Sequence, residues 1–121
     1  MLPQYLLSET VARQDGMGED VVFENTMLQL TLGITRSLTQ ESLEVSIWGS
    51  PDGEQWRFLA AFPQKFFCGT YFLLMDLTSH PDVRHVRAQW KVSRLNRDER
   101  APLFEFYVRA EEAHVHHAGA A

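Results

Sequence analysis

The sequence predicts an all-β fold, a single β-sandwich of about eight mostly antiparallel strands in jelly-roll-like order. Three observations carry that expectation. Apolar and polar residues alternate in four separate segments, no segment offers ten or more residues at helical spacing with caps, and the gaps hold turn-forming residues. Successive side chains of a strand point to opposite faces. Strict alternation therefore marks a strand with one face in a core and the other in water.

Strands are expected over about 5–12, 20–24, 27–35, 43–49, 55–62, 70–77, 84–95 and 102–111. The third is the clearest at the start of the chain, with Leu28, Leu30, Leu32 and Ile34 alternating with Met27, Gln29, Thr31 and Gly33. Leu43, Val45 and Ile47 repeat the pattern in the fourth, as do Val86, Ala88, Trp90 and Val92 in the seventh. Phe104, Phe106 and Val108 complete it in the last. Trp90, Val45, Leu30 and Phe106 are accordingly expected in the core. Between strands stand Asp15-Gly16, Ser50-Pro51-Asp52-Gly53, Pro63, Cys68-Gly69 and Ser79-His80-Pro81-Asp82, all with the chemistry of turns. LNRDERA, 95–101, reads as a charged loop. Residues 1–112 are read as the sandwich domain and 113–121 as a frayed tail.

The composition suits one packed domain. In 121 residues, 45% are apolar and 12% aromatic, enough to build a core without staples. A net charge of −5 argues against general affinity for nucleic acid or anionic lipid. Cys68 is the single cysteine, so no internal disulfide can form. MLPQYLLSET lacks a basic start followed by an apolar stretch, and no apolar run approaches the roughly 20 residues of a membrane helix. A cytoplasmic protein is expected (or a virion-associated one, if phage-derived), with no cofactor, no nucleic-acid partner and no membrane.

GSPDGEQW, Gly49–Trp56, invites a calcium-loop reading, but the further oxygens at Asp-x-Asp-x-Asp spacing are missing. Pro51 instead fixes φ for a first corner, Asp52 bonds back onto the local backbone, and Gly53 takes the left-handed conformation. The segment is expected to be a tight hairpin corner.

Ser50, Asp52, Gly53 and Trp56 also resemble the S-x-D-G-x-x-W hairpin of discoidin-like, or galactose-binding-like, β-sandwiches. Arg84-His85-Val86-Arg87 is similar to the R-x-V-R element of a later strand there, with PLFEFYV in the place of the closing strand. The wider layout looks like small structural β-sandwich proteins encoded among phage genes. Discoidin-like domains are usually secreted and disulfide-stapled, and their ligand residues lie in variable loops, so the resemblance implies the fold and carries over no site residue.

No catalytic constellation is recognisable. Ser79 or Cys68 would need His80 or His85 as a base, and no motif places them together. His114 and His116 share one side of an extended strand, with His117 beside them, but a solvated tail accounts for all three. Contact residues are better candidates. Arg84, Arg87, Lys91, Arg94, Arg97 and Arg100 concentrate six of eleven basic residues in 84–100, with Arg87 and Lys91 opposite Trp90 on their strand. That face could meet an acidic partner, or long basic side chains could simply cover apolar surface. Phe66 and Phe67 are adjacent and cannot both face the core, while Trp48 lies opposite Leu43, Val45 and Ile47. Exposure of these rings and burial under the 63–69 loop are both open. The expected function is a non-catalytic module acting by protein–protein association, as a homo-oligomer or with another protein partner. Trp48, Phe66, Phe67 and Tyr107 would anchor the contact and Arg87 and Lys91 would form its rim. The alternative is a module binding carbohydrate or another small ligand, with Trp48 as the stacking platform.

Overall fold

The computed structural model describes residues 3–37, 41–94 and 104–113. Among them are nine strands: β1 (Gln4–Ala12), β2 (Gly16–Met17), β3 (Val21–Val22), β4 (Met27–Ser37), β5 (Glu41–Ser50), β6 (Arg57–Ala61), β7 (Gly69–Asp76), β8 (His85–Arg94) and β9 (Phe104–Glu112). One sheet, A, has the order β1-β9-β4-β7, and the other, B, has β2-β8-β5-β6 with β3 also on β8. Every pairing is antiparallel.

The pairs are nested. β1 lies beside β9, β2 and β3 beside β8, β4 beside β7, and β5 beside β6, while successive pairs alternate between the two sheets. A long double ribbon rolled up in this way is the jelly roll, with β2 and β3 counting as one interrupted strand. The expected eight segments are all present. What alternation did not signal is β2 and a 3₁₀ turn at Leu77–Ser79, whose start is capped by Asp76 accepting the Thr78 N–H.

The two inner faces supply the core. Leu28, Leu30, Leu32, Leu43, Ile47, Val86, Ala88, Phe104, Phe106 and Val108 have no exposed surface. Each fully buried Leu or Phe adds roughly 1.5–3 kcal/mol of transfer free energy. Trp90 departs from expectation. It faces inward and meets Phe106 edge-on at 5.6 Å, but it is only partly buried. Its indole lies against Gly16 and its Nε1–H donates to the Gln14 carbonyl, which draws the ring toward the open margin of sheet B.

The β5–β6 corner holds, in wider form than expected, because six residues separate Ser50 from Arg57. Ser50 Oγ accepts the Asp52 and Gly53 N–H groups, and Asp52 Oδ1 accepts those of Glu54 and Gln55. Gly53 has φ of 80°. Gly53→Val should therefore lower stability by about 1–2 kcal/mol, the cost of a side chain in left-handed backbone, and urea unfolding would measure it.

The Gln55 and Glu54 N–H groups, with the Ser50 hydroxyl, hold the Asp52 carboxyl at a pKa of about 2. An unfolded Asp titrates near about 3.9, so the corner's contribution is present above that pH and lost as pH falls through about 2. Asp52→Asn is expected to flatten the fall in stability between roughly pH 4 and pH 2. Acid unfolding of both proteins followed by circular dichroism checks this.

Candidate functional site

A sandwich leaves sheet edges open, and each open edge is a row of unpaired backbone donors and acceptors. Among the described residues the two sheets have four edges, and three of them are blunted. β1 is broken by register shifts against β9 at Tyr5/Leu7 and Leu7/Thr10, and it carries Glu9. β2 and β3 have two residues each. β6 has five residues and begins with Arg57, which is tied to Asp82 by two contacts of 2.7 Å. That pair holds the Asp82 carboxyl at about 2 and raises the Arg57 pKa.

β7 has none of these protections. It runs for eight residues, GTYFLLMD, in unbroken register with β4, has no Pro or Lys, and is uncharged until Asp76. Among the described residues it pairs with β4 alone. Phe72 is 64% exposed and Leu74 63%.

The hydrogen-bond phase tells which groups of β7 face outward. The Leu77 N–H donates to the Thr26 carbonyl at 3.0 Å, next to the Met27–Asp76 pair. Antiparallel pairs alternate between bonded and non-bonded, so Met75, Leu73 and Tyr71 direct their amides at β4. Thr70, Phe72, Leu74 and Asp76 direct theirs at the open edge. The other side of β4 agrees, because the Ala113 N–H donates to the Met27 carbonyl.

Phe66 and Phe67 sit on the β6–β7 connection and are both exposed, Phe67 to 75%. Lys65 joins this connection to β5 through reciprocal backbone bonds with Leu43 and lies over the Tyr71 ring at 4.1 Å. Phe58, on β6, is also exposed. Five of the nine large apolar side chains exposed among the described residues thus come from residues 57–76, on β6, β7 and the link between them.

The remaining sequence candidates lie elsewhere. Trp48 is half-buried on the outer face of sheet B, its Nε1–H on Ser46 Oγ and its ring edge-on to Phe58. Arg87 is its cross-strand neighbour and stacks on Trp56 at 4.0 Å. Lys91 is exposed opposite Glu44. Tyr107 is on the outer face of sheet A, spread over Gly33 and edge-on to Tyr5. Trp48 and Tyr107 therefore occupy the outer faces of different sheets and do not belong to one contiguous patch. Of the four expected anchors, Phe66 and Phe67 lie on the connection that leads into β7.

Sequence reasoning missed Phe72 and Leu74. The available signal was that GTYFLLMD is apolar on both faces and carries no charge before its last residue.

A groove of about 620 Å³ also crosses the outer face of sheet B, bordered by Asp15, Met17, Glu44, Ser46, Gln89 and Lys91. Beside it, Arg87 Nε is buried without a hydrogen-bond partner among the described residues. Ser79 Oγ donates to Asp76, the Cys68 thiol is 3.6 Å from Ser37 Oγ, and His85 pairs with Asp20 at 2.9 Å. Among the described residues no group of three or more His, Cys, Asp or Glu could hold a metal, and no helix is long and apolar enough to cross a membrane. Arg97, Arg100 and the tail histidines lie outside the described residues. No family model, curated protein or solved structure matches the chain.

Proposed function

We propose that the protein is a non-catalytic β-sandwich module that works by self-association through the β7 edge, with Phe67, Phe72 and Leu74 as its apolar anchors. The observation that carries this reading is the contrast among the four edges: three are blunted and β7 is not. An edge that is long, regular, uncharged and apolar is a template for another strand. Burying its aromatic and aliphatic side chains supplies the free energy that backbone bonds alone do not, because those bonds replace bonds to water. Such a module suits a structural component that assembles from copies of itself.

Light scattering across a concentration series tests it. Wild type is expected to rise above monomer mass at micromolar concentration, and Phe72→Lys with Leu74→Lys to remain monomeric at the same concentrations. A wild type that stays monomeric at high micromolar concentration would remove the reading.

A second reading is supported by Trp48 and Arg87 standing side by side next to the groove on sheet B. It is a site for a carbohydrate or small ligand, with an indole to stack on and a guanidinium to bond. Titration of tryptophan fluorescence with galactose and galacturonate probes it. Saturable quenching that disappears in Arg87→Ala would favour this reading, and no change with either sugar would count against it.

A further inference from the structure

We propose that β7 pairs antiparallel with β7 of a second copy about a two-fold axis at Leu73, joining both A sheets into one continuous sheet and stopping at a dimer. The inference rests on self-association through β7 and adds its geometry.

Self-complementarity is the first argument. A two-fold axis presents the same strand to both copies, and an antiparallel pair requires facing residues to share a side of the sheet. Residues 70, 72, 74 and 76 direct their backbone groups at the open edge and set their side chains on the outer face of sheet A, and Leu73 is the midpoint of that set. With the axis there, Thr70 faces the partner's Asp76 and Phe72 faces the partner's Leu74. Every outward amide and carbonyl of the set is then used, giving about eight backbone bonds. An axis at Phe72 would leave Asp76 facing Cys68, beyond the strand, and would set Leu74 against Thr70.

Charge is the second argument. The chain has a net charge of −5, so two copies repel over most of their surface. The β7 edge is neutral from Gly69 to Met75, and this register sets each Asp76 carboxylate against a threonine hydroxyl rather than another carboxylate. Apolar Phe72–Leu74 pairs then lie on both sides of the axis, the kind of cross-strand contact that stabilises a sheet. Assembly closes at two copies because pairing consumes the one edge of each that is unprotected among the described residues.

Disulfide mapping reads the register. In a Cys68→Ala background, Leu73→Cys places the two thiols at a non-bonded pair, with Cα atoms about 4.5 Å apart and within disulfide reach. Phe72→Cys leaves its thiols diagonal, roughly 7–8 Å apart, and outside it. Under mild oxidation the Leu73→Cys protein should give at least tenfold more covalent dimer on non-reducing gels. If Leu73→Cys fails to fold, Phe72→Cys with Leu74→Cys replaces it, and peptide mapping should find residue 72 of one copy bonded to 74 of the other. More dimer from Phe72→Cys than from Leu73→Cys overturns the register. No cross-link from either Leu73→Cys or the Phe72→Cys, Leu74→Cys protein, while the wild type still self-associates, overturns the β7–β7 geometry and leaves self-association standing. A monomeric wild type overturns both.

Discussion

Replacing Phe106 by alanine should destabilise the sandwich by about 3–5 kcal/mol, the range for removing a fully buried ring. Phe106 has no exposed surface. It comes from β9, a central strand of sheet A, and its ring meets Trp90 of sheet B edge-on, so it spans the space between the layers. Its removal forfeits the transfer free energy and leaves a cavity that two hydrogen-bonded sheets cannot collapse to fill. Urea unfolding should show a lower midpoint with an unchanged slope. A loss under about 1 kcal/mol would mean that the core does not depend on this contact.

The second large effect is a difference between neighbours. Leu73→Pro should cost about 3 kcal/mol or more, whereas Leu74→Pro should leave the fold largely intact and remove self-association. The Leu73 amide points at β4, and its side chain packs against the core, so proline there breaks a ladder bond and loses apolar contact. The Leu74 amide points at the open edge, where proline is tolerated, and among the described residues it has no partner in its own chain to lose. Thermal unfolding and light scattering of both variants measure the difference. Equal destabilisation by both would show that the phase of β7 has been assigned wrongly.

Where one face of a strand is buried and the other wet, the strand was legible in sequence. Leu28, Leu30, Leu32 and Ile34 in β4, and Phe104, Phe106 and Val108 in β9, announce their inner faces by parity alone. Ser50, Asp52 and Gly53 announced a corner by turn chemistry, which is local. Strand order is not local. That β7 lies at an edge follows from β4 pairing with β9 on its other side, across roughly 80 positions of sequence. Neither residue pattern encodes that arrangement directly. The same limit hid the separation of Trp48 from Tyr107, since alternation says that each faces outward and not from which sheet. Trp90 was placed on the correct face, and its partial exposure depends on Gln14 and Gly16, residues more than seventy positions away.

Amide hydrogen exchange across a concentration series tests the role of the β7 edge most directly. At low concentration the amides of Tyr71, Leu73 and Met75 should be protected by β4, while those of Thr70, Phe72, Leu74 and Asp76 exchange rapidly. At high concentration the second set should become protected as well, abolishing the alternation. If Phe72 and Leu74 amides exchange rapidly at every concentration, the edge stays open to water and β7 is not where the protein associates.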